Sequence, residues 1–205
     1  MNKIHRFSGV YLSLFVTAHL LNHLTALHHI NSHIAVMDVL RGIYKHPLVE
    51  FGLIVAVLFQ IGSGLGLAFR SYKIAKKREQ PVAKNPWKRW QIYSGLYLAF
   101  FLLVHTSATL FAHYGMGVDT NFYFAAMVVQ VIPQAFFFVP YYFLGVASYF
   151  VHLVCLWRLF KGNEKKANRP AWIGIGVGIL IAVLILVALE QPMELPSAYQ
   201  SLLEK

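Results

Sequence analysis

The sequence predicts an all-α membrane protein with five transmembrane helices, the first four forming a duplicated helix hairpin. Three observations carry this. Charged residues make up only 13% of the 205-residue chain and hydrophobic ones 58%, where soluble domains carry about 25% charge. The apolar residues gather in long runs, each near the roughly 20 residues that cross a bilayer core of about 30 Å. A twelve-residue segment of the first run returns in the third. The mean hydropathy of +0.55 excludes a disordered chain. The single cysteine, Cys155, excludes an intrachain disulfide and a cysteine-based metal site.

Span one covers about 7–26 and holds no Asp, Glu, Lys or Arg. Span two covers 51–69, span three about 90–111 and span five 172–189. The fourth lies in the uncharged stretch 120–157. As one helix that stretch would measure about 57 Å, too long for one crossing. Pro133 and Pro140 offer breaks. The expectation is a short interfacial helix over 121–131, then span four over 136–159. Together these make a single integral membrane domain.

Basic residues set the orientation. Lys3 and Arg6 precede span one, eight Lys and Arg fall within 70–89, and five within 158–169. That places 15 of 18 on one side, with Arg41, Lys45 and Lys205 on the other beside six of the eight acids. The loops at 70–89 and 158–169 are therefore expected in the cytoplasm, with the N-terminus. The net charge of +10 reads as a topology signal rather than as nucleic-acid binding. Lys3, Arg6 and the run after them look like the start of a signal peptide. The run is long, however, and no small-x-small cleavage site follows it.

The repeat pairs Ser8-Gly-Val-Tyr-Leu-Ser-Leu-Phe-Val-Thr-Ala-His19 with Ser94-Gly-Leu-Tyr-Leu-Ala-Phe-Phe-Leu-Leu-Val-His105. Six of the twelve positions are identical, both ends included. A duplicated hairpin of spans one–two and three–four follows, with span five added and a pseudo-twofold axis along the membrane normal.

Ionisable residues within a membrane are costly, which makes each a functional candidate. His19 and His105 lie roughly 20 and 24 Å beyond Arg6 and Arg89, at about 1.5 Å per residue. As repeat mates they share a depth, in the outer half. Two histidines at one depth on two helices can hold a metal between them. Bis-histidine ligation of a haem iron uses two neutral imidazoles on opposite porphyrin faces. Gly62 and Gly64 of span two offer small residues for packing a porphyrin. The plainer alternative makes each histidine an interhelical hydrogen-bond partner. His152, on span four in the inner half, has no histidine opposite it on span two, where Gln60 is the strong hydrogen-bonding side chain. His28, His29, His33 and His46 are expected in a solvated outer loop. His23 or His113 would suit a haem propionate. Glu50, at the outer edge of span two, is expected among headgroups.

His5-Arg6-Phe7-Ser8-Gly9 resembles the His-Arg-x-Ser-Gly motif of succinate dehydrogenase membrane anchors. The five spans resemble the five-helix cytochrome b membrane anchors of succinate:quinone and quinol:fumarate oxidoreductases. The resemblance covers nearly the whole chain in architecture, and its sharp matches are His5–Gly9, His19, Ser94–His105 and His152. It implies that His19 and His105 ligate an outer haem b. It assigns His152 to an inner haem whose other ligand is missing, because Gln60 stands where the family has histidine. It implies a quinone near His5, Arg6 and Ser8. It also implies flavoprotein and iron–sulfur partners on the cytoplasmic side, and a bacterial inner or mitochondrial inner membrane.

The chain itself carries no flavin or nucleotide fingerprint and no catalytic residue, so it would need a partner for dehydrogenase chemistry. The expected function is a haem b membrane anchor that exchanges electrons with quinone. The alternatives are a stand-alone mono-haem quinone-linked oxidoreductase, a metal-handling or transport protein using the outer histidines, and a structural assembly protein.

Overall fold

The computed structural model describes residues 3–162 and 164–203. Among them it is helical, with no strand: α1 (Lys3–Thr25), α2 (Ile30–Tyr44), α3 (Pro47–Lys77), α4 (Pro86–Leu110), α5 (Phe122–Gln130), α6 (Gln134–Phe160), α7 (Asn168–Leu189) and α8 (Ser197–Leu203). A π-helical turn, Phe111–Gly115, extends α4, and a 3-10 turn, Lys165–Ala167, precedes α7.

Four helices are long and apolar enough to cross a membrane: α3, α4 with its π turn, α6, and α7 with the turn before it. α1, at 23 residues, spans about 34 Å, but Ser8, His19, Asn22 and His23 dilute its apolar surface and it is not among the four. Phe7, Leu14, Phe51, Leu58, Phe136 and Phe160 are all more than half exposed. In water a surface of that size would be an interaction site; in hydrocarbon it carries no penalty.

The helices outrun the apolar runs because backbone bonding continues until something stops it. Pro47 and Pro86 sit in the first turns of α3 and α4, where a missing N–H costs nothing. The Asn85 and Asn121 side-chain oxygens accept from the Trp87 and Tyr123 amides, each at 2.9 Å, capping α4 and α5. α3 ends where Glu79 turns left-handed at φ 50, and the Gln80 amide returns to the Ala75 carbonyl at 3.1 Å. α6 ends at Gly162, φ 63, whose carbonyl accepts from Arg158 Nη1 at 2.6 Å.

α1 packs on α3 and α4 on α6, giving two hairpins. α3 also touches α4, while α7 packs against both α6 and α1. The five long helices therefore close into a ring. This corrects the expectation of a four-helix bundle with a fifth helix appended: α7 forms part of the wall. Small residues permit its approach. A Cβ on Gly178 would overlap Phe150, and one on Gly174 would meet Val154 Cγ2 at 2.9 Å. Gly145 of α6 faces Phe101 of α4 in the same way.

One end of the ring carries the basic connections around 78–85 and 161–167. The other is capped by α2, α5 and α8. The main core lies toward this capped end, built from Leu20, Ala26, Phe122, Ala126, Val146, Ile185 and Ala188. Tyr149 ties α6 to α1 by donating to the Ser13 carbonyl at 3.1 Å.

Two expectations are corrected here. The solvated outer loop is helix α2. Ile30, His33, Ile34, Met37, Leu40, Arg41 and Tyr44 form its inward stripe at helical spacing, and His33 is only 2% exposed. Pro140 does not break the chain but lies inside α6; the break is at Pro133. A proline inside a membrane helix is tolerated because surrounding groups re-satisfy the freed carbonyl. The short helix expected over 121–131 is α5.

Candidate functional site

The ring surrounds a partly open cavity of about 880 Å³, toward the upper end of the roughly 300–1,000 Å³ of ligand pockets. Arg6, Arg70 and Lys88 line it at the basic end, and Lys45, Glu50 and His113 at the capped end. The middle is apolar, with Leu53, Val57, Leu98 and Leu102 on its walls.

His19 of α1 and His105 of α4 both line this cavity. Their ring centroids are 6.1 Å apart at an interplanar angle of 65°. Two imidazoles bonded to one metal at about 2 Å each stand at close to this separation. Phe101 stacks on His105 at 5.2 Å and 11°, and Phe15 stacks on His19 at 5.8 Å and 15°. No hydrogen bond holds the His105 ring among the described residues. His19 Nε2 lies 3.3 Å from His23 Nε2, and His23 lies 5.1 Å, ring to ring, from His33 of α2. Both His23 Nδ1 and His33 Nδ1 are buried without a partner. A second cavity of about 90 Å³ lies among His19, His23, His33, His105 and Tyr142. His33, outside the long helices, is held at about 4, well below the usual 6.5, chiefly because burial disfavours its charged form. The donor set of His19 and His105, two imidazoles on the wall of an apolar cavity, fits a bis-histidine haem.

Toward the basic end the two hairpins repeat one arrangement. Ser8 Oγ donates to Gln60 Oε1 at 2.7 Å, and a Cβ on Gly9 would sit 3.1 Å from Gln60 Nε2. In the other hairpin, Ser94 Oγ lies 3.3 Å from His152 Nδ1, and a Cβ on Gly95 would sit 3.0 Å from His152 Cε1. The repeated Ser-Gly thus packs on Gln60 in one hairpin and on His152 in the other. Both residues line the cavity. A second haem does not fit here, since Gln60 offers no imidazole and its amide oxygen is held by Ser8.

The remaining site expectations divide. Arg6 lines the cavity. His5 does too, but its Nδ1 bonds Ser63 Oγ at 2.7 Å and its Nε2 lies 3.4 Å from Gln60 Nε2, so His5 and Ser8 buttress Gln60. Gly64 lines the cavity near His5, whereas Gly62 is exposed with nothing within 4 Å and faces away from it. Its expected packing role is corrected: the α3 backbone turns that position outward. Glu50 accepts from Tyr114 Oη at 2.6 Å, and Lys45 Nζ lies 2.9 Å from His113 Nε2. His28, His29 and His46 are exposed.

Sequence reasoning missed Ser63 and Gln91, and gave no role to Phe101, the repeat mate of Phe15; these side chains orient the residues it found. The repeat position shared by Phe15 and Phe101 was a readable signal, and so was the inward stripe of α2, which leads to His33. Among the described residues, no group of three or more His, Cys, Asp or Glu is placed to hold a metal ion. No family model matches the chain, and no curated protein or solved structure matches it.

Proposed function

We propose that this chain is a haem b-containing membrane subunit that exchanges electrons with quinone. The observation that carries the reading is the pairing of His19 and His105 at 6.1 Å on the wall of the 880 Å³ cavity. A b-type haem bound there supplies one-electron exchange at a potential set by its ligands and burial. The chain's own residues hold and shield it. His19 and His105 would hold its iron, Phe15 and Phe101 would fix their ring planes, and the apolar walls would shield it. Lys45 and His113, which line the capped mouth, would meet carboxylates of a bound porphyrin.

In this reading α1 also crosses the bilayer, making five spans, and the basic end faces the cytoplasm. Flavoprotein and iron–sulfur subunits, as in succinate dehydrogenase or fumarate reductase, would dock on that end. One observation favours the stand-alone alternative. The histidine pair lies toward the capped end, away from such a dock, and no second haem site fits between. Co-purification separates the two.

The test is a visible spectrum of the detergent-purified protein, oxidised and reduced, with a pyridine haemochrome count. The expected result is a sharp reduced α band and about one haem b per chain, lost in both His19→Ala and His105→Ala. A chain without haem after expression with ample haem supply overturns the proposal.

A further inference from the structure

We infer that the small chamber where α1 meets α2 is a cuprous-ion site whose ligands are His23, His33 and Met37. The site uses this chain's own side chains and does not depend on a bound haem.

Three observations meet there. His23 and His33 both line the chamber of about 90 Å³, and Nδ1 of each is buried without a partner among the described residues. Buried polar atoms left in this way call for a water or an ion. Their rings stand 5.1 Å apart, centroid to centroid, at 40°. Two imidazoles bonded at about 2 Å to one metal, and meeting at a trigonal angle, have centroids about 5 Å apart. The third observation is Met37, 6% exposed, which lines the same chamber. It follows His33 by four residues on α2, so the two side chains share a face with Cβ atoms about 6 Å apart.

The second nitrogen of each ring already faces a neighbour. His23 Nε2 lies 3.3 Å from His19 Nε2, and His33 Nε2 lies 3.3 Å from the Asn22 side-chain amide. Nδ1 is thus the nitrogen left over in both rings, whichever one carries the proton. A metal on Nδ1 selects the tautomer with its proton on Nε2. Burial holds His33 at about 4, so at pH 7 its ring is neutral and loses no charge on binding.

The donor set selects the ion. Among the described residues no group of three His, Cys, Asp or Glu is placed to hold a metal; here the third donor is a thioether, a soft ligand that selects Cu(I). No charged side chain lines the chamber. The cost of desolvating an ion rises with the square of its charge, so such walls favour a monovalent ion over a dication. With one ligand on α1 and two on α2, the ion would also hold α2 in place over the chamber.

The test uses the full chain as purified in detergent, under anaerobic reducing conditions, with Cu(I) supplied as its bicinchoninate complex. The chain should withdraw about one Cu(I), and X-ray absorption should show sulfur beside nitrogen around the copper. Met37→Leu nearly conserves volume; it should remove the sulfur signal and weaken binding at least about tenfold. His33→Phe should abolish binding. Both variants should keep the haem content of the unsubstituted chain. Replacing the exposed His28, His29 and His46 together by Ala should leave binding intact. Cu(I) that stays with bicinchoninate overturns the inference and leaves the chamber to water. Copper without a sulfur neighbour in the unsubstituted chain overturns it too, with no variant that could misfold. So does a sulfur signal that survives Met37→Leu, or binding that survives His33→Phe and is lost with the three exposed histidines. A chain without haem that takes up one sulfur-bound Cu(I) would end the electron-transfer reading and leave this site standing.

Discussion

Gly145 shows how one atom reaches the candidate site. A Cβ there would overlap the Phe101 ring, and Phe101 stacks on His105 at 5.2 Å. Gly145→Val is therefore expected to lower stability by about 1–3 kcal/mol, the usual cost of overpacking, and to change the reduced haem spectrum. Gly178→Val meets Phe150 away from the histidine pair, so it should cost similar stability and leave the spectrum unchanged. Thermal unfolding in detergent beside visible spectra checks both, and identical spectra for the two variants would contradict the coupling. Ser8→Ala leaves Gln60 Oε1 without its donor and is expected to cost about 1–3 kcal/mol, read in the same unfolding assay. The histidines were legible from their repeat spacing. The groups that orient them were legible only in part: Phe101 is the repeat mate of Phe15 and stacks on His105 as Phe15 does on His19, whereas Ser63 and Gln91 act only through folded contacts.

Among the elements, α2 differs most from its sequence expectation. Four histidines across 28–46 suggested a solvated loop, yet His33 is buried against Phe122 at 5.6 Å, ring to ring. Asn22 lies 3.3 Å from His33 Nε2 and helps hold it. Arg41 anchors the same helix to Asp119 at 2.6 Å. His33 sits at about 4 when folded against 6.5 ordinarily. Between those values the unfolded form takes up a proton that the folded form does not, so stability is lost as pH falls from about 6.5 toward 4. The expected outcome is that α2 amides exchange faster at pH 4.5 than at pH 7.5, after correction for intrinsic exchange. Substitution His33→Phe should flatten that dependence. Hydrogen exchange with mass spectrometry checks both, and an equal response in the variant would count against His33.

For the whole molecule, the ring α1–α3–α4–α6–α7 places one apolar cavity between a basic end and a capped end. Whether α1 crosses the bilayer is decided by the sidedness of its two ends. With Cys155 replaced by Ser, Lys3→Cys and Lys84→Cys are expected to react with an impermeant maleimide from the same face of sealed vesicles. His28→Cys should react from the opposite face. Labelling of Lys3→Cys and His28→Cys from one face would leave four spans and move the histidine pair out of the bilayer core. Helix positions were readable at this scale because hydropathy and charge act locally along the chain. The place of α7 in the wall was not, since its run is apolar on every side and names no neighbour.

Composition, uncharged runs and the Ser-Gly…His repeat by themselves determined the helical membrane-type architecture, the two hairpins and the pair His19 and His105. Each is a matter of residue type against distance along the chain, and helix geometry converts that distance directly into depth and face. The tertiary structure alone decided that the ring closes through α7, that α2 covers the histidines and that Gln60 and His152 occupy matching places. Those outcomes depend on which side chains meet across helices. Gly178 admits Phe150, Ser8 meets Gln60 and Gln91 meets His152 through contacts between residues far apart in sequence, and such contacts exist only once the backbone has brought them within a few ångströms.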